Sequence, residues 1–236
     1  MTGIALPVLF ALILWWASTG VIMFLDGLPK RTFKWSMIAA TALVIVCLYR
    51  IAATADETTA MSAYAAFAYG LIAWGWHAMT FYFGLITGPR RTPCPEGLTG
   101  WARFWAASGT SIHHELAIAA GMIVILWLVG DGANTTATWT YLVLWWMHLS
   151  GKLNVYLGVP NLAEEFIPEH LAYLRSYMRR RPMNLLFPVS VTVSTVITAM
   201  LVERALAAPA GSFEAVQAWL ITTLMVLAVL EHWFLV

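Results

Sequence analysis

Charge is what this sequence has least of: Asp, Glu, Lys and Arg make up 11% of its 236 residues, where soluble domains carry about 25%. Apolar residues reach 61% against roughly 45–50% in soluble domains, and the mean hydropathy is +0.75. So few charges cannot clothe so much apolar surface in water, which excludes a water-soluble fold. The net charge of +1 offers no basic footprint for a polyanion, so no nucleic-acid partner is expected. Cysteine is equally scarce. Cys47 lies in a hydrophobic run and Cys94 in a loop, with neither zinc-ligand spacing nor a disulfide framework, and both are expected to be free thiols. No internal repeat or low-complexity tract is visible. Met1 to Pro7 lacks the basic stretch and small-residue cleavage site of a signal peptide, so the first apolar run is expected to stay as a membrane helix.

What the sequence has is long apolar runs and many amphipathic aromatics, including 13 Trp and 8 Tyr, whose polar tips settle at headgroup depth. A membrane-crossing helix needs roughly 20 apolar residues. Seven stretches reach or approach that length: Ile4–Leu25, Trp35–Ala53, Ser62–Thr87, His113–Val129, Trp139–Val159, Leu185–Val202 and Phe213–Val236. The expected fold is all-α, a polytopic membrane bundle of about seven transmembrane helices forming a single integral membrane domain, residues 1–236. Lys30, Arg31 and Lys34 mark the first loop, Arg90, Arg91 and Arg103 the third, and Arg175, Arg179, Arg180 and Arg181 the fifth. The even loops hold only Arg50 and Arg204. Cations are retained on the cytoplasmic side, so the odd loops and the C-terminus are expected there, with the N-terminus periplasmic. Residues 88–111 and 160–184 then become cytoplasmic loops with interfacial helices. In the second, Glu164 to Arg181 reads as a surface helix with Phe166, Leu171, Leu174 and Met178 on one side, acids first and arginines last, as the helix dipole favours.

That topology puts all six histidines, His77, His113, His114, His148, His170 and His232, on the cytoplasmic side. Reversing the topology would move the cluster without dispersing it. Ionisable side chains inside a membrane are costly, about 2.5–3.5 kcal/mol or more at the centre, and face a bundle interior, a partner or a wet cavity. Three readings follow. His77, His114, Glu115, His170, Glu231 and His232 offer imidazole and carboxylate ligands of the kind that suit non-haem iron, although no Glu-x-x-His pair of the di-iron type is present. Alternatively, His77 among Trp74, Trp76, Phe81 and Tyr82 suits axial ligation of chlorin magnesium or haem iron. Arg90 and Arg91 could then grip a propionate or a lipid phosphate, and Lys152 and Asn154 join them as candidate cofactor contacts. In the third reading the cluster is a structural polar network, with Glu115 or Glu231 paired to Lys152 or an arginine.

The runs WGWHAMTFYFGLITGPRRTPCP at Trp74–Pro95, HHELAI at His113–Ile118, LSGKLNVYLGVPNLAEEFIPEHLAYLRSYMRRRPMN at Leu149–Asn184 and the terminal EHWFLV resemble the PuhE family, photosynthetic complex assembly proteins of purple bacteria, over essentially the whole chain. The resemblance implies a multi-pass protein of the inner, intracytoplasmic membrane that works with reaction-centre, light-harvesting or pigment-biosynthesis proteins. It further implies a membrane assembly factor aiding bacteriochlorophyll supply or insertion. It implies no particular reaction, and an enzymatic role is the lesser expectation. The alternatives are a metal-dependent oxidoreductase acting on a tetrapyrrole or quinone intermediate, and a permanent subunit of a photosynthetic complex. Two positions depart from the family's pattern: Ala78 stands where a glutamate often follows the histidine, and His113 where histidine is uncommon. Those departures weaken any metal site drawn through Ala78 or His113.

Overall fold

A computed structural model describes residues 2–236. Its α-helices are α1 (Thr2–Asp26), α2 (Phe33–Ala53), α3 (Ala60–Tyr82), α4 (Gly100–Ser108), α5 (Ile112–Val129), α6 (Thr136–Leu157), α7 (Leu186–Ala207) and α8 (Phe213–Trp233). Among the described residues there is no strand, only an isolated bridge between Val159 and Arg180.

Five segments are long and apolar enough to cross a membrane: Gly3–Asp26, Lys30–Ala53, Ile112–Val129, Leu186–Ala207 and Phe213–Trp233. The other two long helices, α3 and α6, have 23 and 22 residues and lie outside that group. They differ because they form the centre of the bundle, where α3 packs against α1, α2, α5, α6 and α8. A helix that faces its neighbours rather than lipid can carry Thr, Ser, His and Asn and bond them across the interface. The outer helices do the reverse and turn large apolar side chains outward, including Trp16, Phe24, Ile45 and Trp127.

The seven long helices alternate in direction. Loops 54–59 and 130–135 meet at one end, where the Asn134 amide donates to the Ala55 carbonyl at 2.8 Å. Gly3 lies beside Ala210 and Gly211 at that same end. Loops 27–32, 83–111 and 158–185 gather with the chain's C-terminal residues at the other end, where the Asn161 amide donates to the Leu235 carbonyl at 3.1 Å. The short helix α4 falls inside the expected interfacial loop with Trp101 and Trp105 exposed.

Several boundaries differ from expectation for identifiable reasons. α3 stops at Tyr82 rather than Thr87, because Gly84 adopts a left-handed φ of +73° and the Leu85 and Ile86 amides both fold back to the Thr80 carbonyl. Glu164–Arg181 is not one surface α-helix but two 3₁₀ segments, Glu164–Phe166 and Glu169–Tyr177, interrupted where Pro168 supplies no amide proton. A three-residue period places Leu171, Leu174 and Tyr177 on one side, so the buried partner of Leu171 is Tyr177 rather than Met178. Arg103 is not a free surface cation either. It is buried, donates through Nη2 to the Tyr177 carbonyl at 2.6 Å and lies 4.9 Å from the centre of the Tyr156 ring.

Candidate functional site

The first half of α1 packs tightly, with Phe10, Ala11 and Leu14 against Phe67, Val216 and Leu220. Below that contact the helices enclose a cavity of about 700 Å³, bounded by the second half of α1 and by α3, α6 and α8. This lies within the roughly 300–1,000 Å³ typical of small-molecule and cofactor sites. Trp15, Trp74, Phe81 and Tyr82 supply aromatic wall, while Gly75, Ala78 and Gly151 keep side-chain bulk out of it. Leu162, Ala163, Phe166 and Ile167 from the fifth loop close over it. Ala163 holds a left-handed φ of +50° there, a conformation that costs a non-glycine residue about 1 kcal/mol.

Polar groups enter this apolar wall from four helices. His114, His148 and Lys152 come from α5 and α6, Glu231 and His232 from α8, and Asp26 from the end of α1. The His114 and His148 rings meet edge to face at 6.0 Å, and His148 also stands edge-on to Trp74 at 5.4 Å. His148 and Glu231 keep substantial accessible surface, and both line the cavity. By contrast, Nδ1 of His114 and Oδ1 of Asp26 are sealed from solvent without a hydrogen-bond partner among the described residues. Such unpartnered groups are uncommon in folded interiors.

Lys152 is already committed. Its Nζ donates to Glu115 Oε1 at 2.5 Å and to the Ser111 hydroxyl. Local folding creates this contact: Gly88 crosses Gly109 and Thr110 so closely that a β-carbon there would stand 2.2 Å from the Gly109 carbonyl oxygen. The same crossing lets the His114 amide donate to the Thr87 carbonyl at 2.9 Å, which fixes the start of α5 beside α6.

His232 is committed as well. Nδ1 faces the Ala228 carbonyl at 2.8 Å and therefore carries the proton, leaving Nε2 to accept from Ser150 at 2.9 Å when the ring is neutral. Ser190 continues the chain at 3.0 Å from Ser150, and Asn154 donates to the Ser190 hydroxyl at 3.2 Å. Asn154 is fully buried in this seam between α6, α7 and α8. It holds helices together and does not line the cavity.

The remaining sequence candidates lie elsewhere. His77 faces the α3–α5–α6 junction, where a β-carbon on Gly121 would stand 2.6 Å from its Nε2 and 2.5 Å from the Tyr141 hydroxyl. That contact leaves no room for a macrocycle over Nε2. His170 bonds the Tyr82 carbonyl at 2.7 Å and caps the end of α3. Arg90 and Arg91 sit in the third loop, and the Arg90 amide donates to the Gly109 carbonyl at 3.0 Å. Of the six residues suggested as metal ligands, His114, Glu231 and His232 line the cavity and Glu115 is paired with Lys152 at its wall, whereas His77 and His170 lie elsewhere. Among the described residues no three His, Cys, Asp or Glu side chains are grouped to hold a metal ion.

The cavity also recruits Asp26 and Ala78, which sequence reasoning did not place in a site. In the sequence Ala78 figures only as the neighbour of a candidate ligand. Only the rotation of α3, about 100° per residue, sends Ala78 to the cavity and His77 away from it.

Fold and site together define an all-helical bundle with five segments long and apolar enough to cross a membrane and an amphiphilic cavity at one end. The chain belongs to the family described as "Protein of unknown function (DUF3623)", which matches residues 1–236. It is also similar to a Rhodobacter capsulatus protein described as "Uncharacterized 30.4 kDa protein in puhA 5'region". The two are 36% identical over 236 residues, covering 98% of this chain and 85% of the relative. No solved structure matches the chain.

Proposed function

We propose that the protein crosses the inner membrane seven times and holds bacteriochlorophyll or a related tetrapyrrole in its cavity, aiding supply or insertion of pigment while photosynthetic complexes are assembled. The observation that carries this reading is the cavity itself: aromatic walls around two imidazoles, those of His114 and His148, that form no side-chain hydrogen bond among the described residues. A flat macrocycle needs apolar faces and one nitrogen donor for its metal, and His114 and His148 are the candidates to supply that nitrogen. The genomic description of the Rhodobacter capsulatus relative and the resemblance of the central segment to photosynthetic assembly proteins support the pigment class.

Helix length supports the seven crossings. At about 1.5 Å per residue, α3 and α6 reach roughly 33 Å, enough for the ~30 Å hydrocarbon core. The cation-rich odd loops share the cavity end of the bundle, which supports a cytoplasmic-side cavity, a periplasmic N-terminus and a cytoplasmic C-terminus. Reporter fusions after Asp56, Arg91 and Gly132 test the orientation, and a periplasmic Arg91 would overturn it. Function is tested on protein extracted gently from photosynthetically grown cells, by absorption spectrum and metal analysis. A bound chlorin band is expected. Stoichiometric iron without that band would favour a metal-dependent oxidoreductase instead, and neither signal would favour assembly through protein contacts alone.

A further inference from the structure

Elimination among the six histidines separates one from the rest. His77 is walled off by Gly121. His170 is bonded to the Tyr82 carbonyl, and both nitrogens of His232 have partners. His113 is exposed and does not line the cavity. His114 lines it but is 2% exposed with Nδ1 sealed, standing edge-on to His148. His148 alone combines cavity lining, an accessible ring and no hydrogen bond to another described residue. Its ring is oriented by contacts with Trp74 and His114 rather than by a polar partner. An imidazole held by packing, with nitrogens left over, is suited to donate a lone pair to a Lewis-acidic metal.

The charges around it narrow the ligand further. Asp26 and Glu231 line the cavity and form no ion pair among the described residues, while the ammonium of Lys152 is held by Glu115 and Ser111. The cavity thus presents two carboxyl groups and no unengaged cation, an environment that gives a free propionate nothing to bind.

Resting on the pigment-holding reading above, we infer that His148 is the metal-ligating residue of the cavity and that the ligand class is an uncharged metallated macrocycle, its carboxyl groups esterified. Glu231 and Asp26 select against the free acid.

The test uses the purified full chain in detergent with three probes: zinc protoporphyrin dimethyl ester, its metal-free counterpart, and the zinc free acid. The parent protein binds the zinc ester with the band shift of axial nitrogen ligation, and more tightly than the zinc free acid. His148→Gly loses the shift and weakens zinc-ester affinity by about tenfold or more, the factor for losing ~1.4 kcal/mol, yet binds the metal-free ester like the parent. Added imidazole restores the shift in that variant. His148→Gln, which keeps side-chain bulk, shows the same loss, and His77→Gln keeps the parent spectrum. A retained shift in both His148 variants overturns the assignment, as does tighter binding of the free acid. A parent that binds the esters without any shift overturns the ligand assignment alone, whereas a parent that binds no probe removes the pigment-holding reading with it.

Discussion

The buried polar groups at one end of the bundle and the polar groups of the cavity wall at the other are satisfied to different degrees. At the end formed by loops 54–59 and 130–135, most such groups satisfy one another, Thr138 Oγ1 being left without a partner among the described residues. Gln217 donates to Thr136 at 2.9 Å, Asn134 bonds the Ser62 carbonyl and the Thr136 amide, and Thr59 and Ser62 close a reciprocal cap on α3 at 3.0 Å each. A little deeper, the Tyr141 hydroxyl donates to the Ile118 carbonyl at 2.9 Å. At the other end, His148, Glu231 and Asp26 surround a cavity without such closure. Polar groups within a membrane bundle are costly unless bonded, so the closed end is explained by stability and the open end is not.

The contrast predicts that substitutions at the closed end damage folding, whereas those on the cavity wall damage function. The largest effect belongs to Gly121→Leu, whose β-carbon alone would crowd His77 and Tyr141. A loss of about 3 kcal/mol is expected from overpacking, read as a collapse of the detergent unfolding midpoint. Lys152→Met, at the boundary between the two environments, leaves Glu115 without its partner and should cost about 1–3 kcal/mol by the same assay. Ala78→Trp enters the cavity rather than the packed seam. Its unfolding midpoint should stay within an equivalent of about 1 kcal/mol, while pigment–protein complexes in a complemented deletion strain fall well below the parent level. Ala163→Gly has the smallest effect. It relieves left-handed strain in the covering loop but gives the unfolded chain more freedom, so a gain of about 0.5 kcal/mol is expected.

Much of this contrast was legible in the sequence, and its limits have a physical cause. Apolar runs located the helices because lipid-facing segments must be apolar along their whole length. Position along a helix gives depth directly, which is why the sequence points His114, His148 and His232 toward the end where they line the cavity, while His77 stands deeper, against Gly121 and Tyr141; the sequence also offers Lys152 as a partner for Glu115, the pair that forms. Which way a side chain faces was not legible. One residue separates His77 from Ala78, yet the bundle turns the first into a seam and the second into a cavity. The partners of His232 were equally hidden, since Ser150 and Ser190 are remote in sequence and meet it only through the packing of α6, α7 and α8. In the fifth loop, charge order suggests one α-helix, but Pro168 divides it into two tighter segments.

The most direct test is a paired absorption spectrum of the parent and Ala78→Trp proteins, both purified gently from photosynthetically grown cells and matched for folded protein. The parent is expected to carry a chlorin-type band that the variant lacks. A folded Ala78→Trp protein with the same band as the parent, or a parent with no band at all, would contradict the assignment of the cavity as a pigment site.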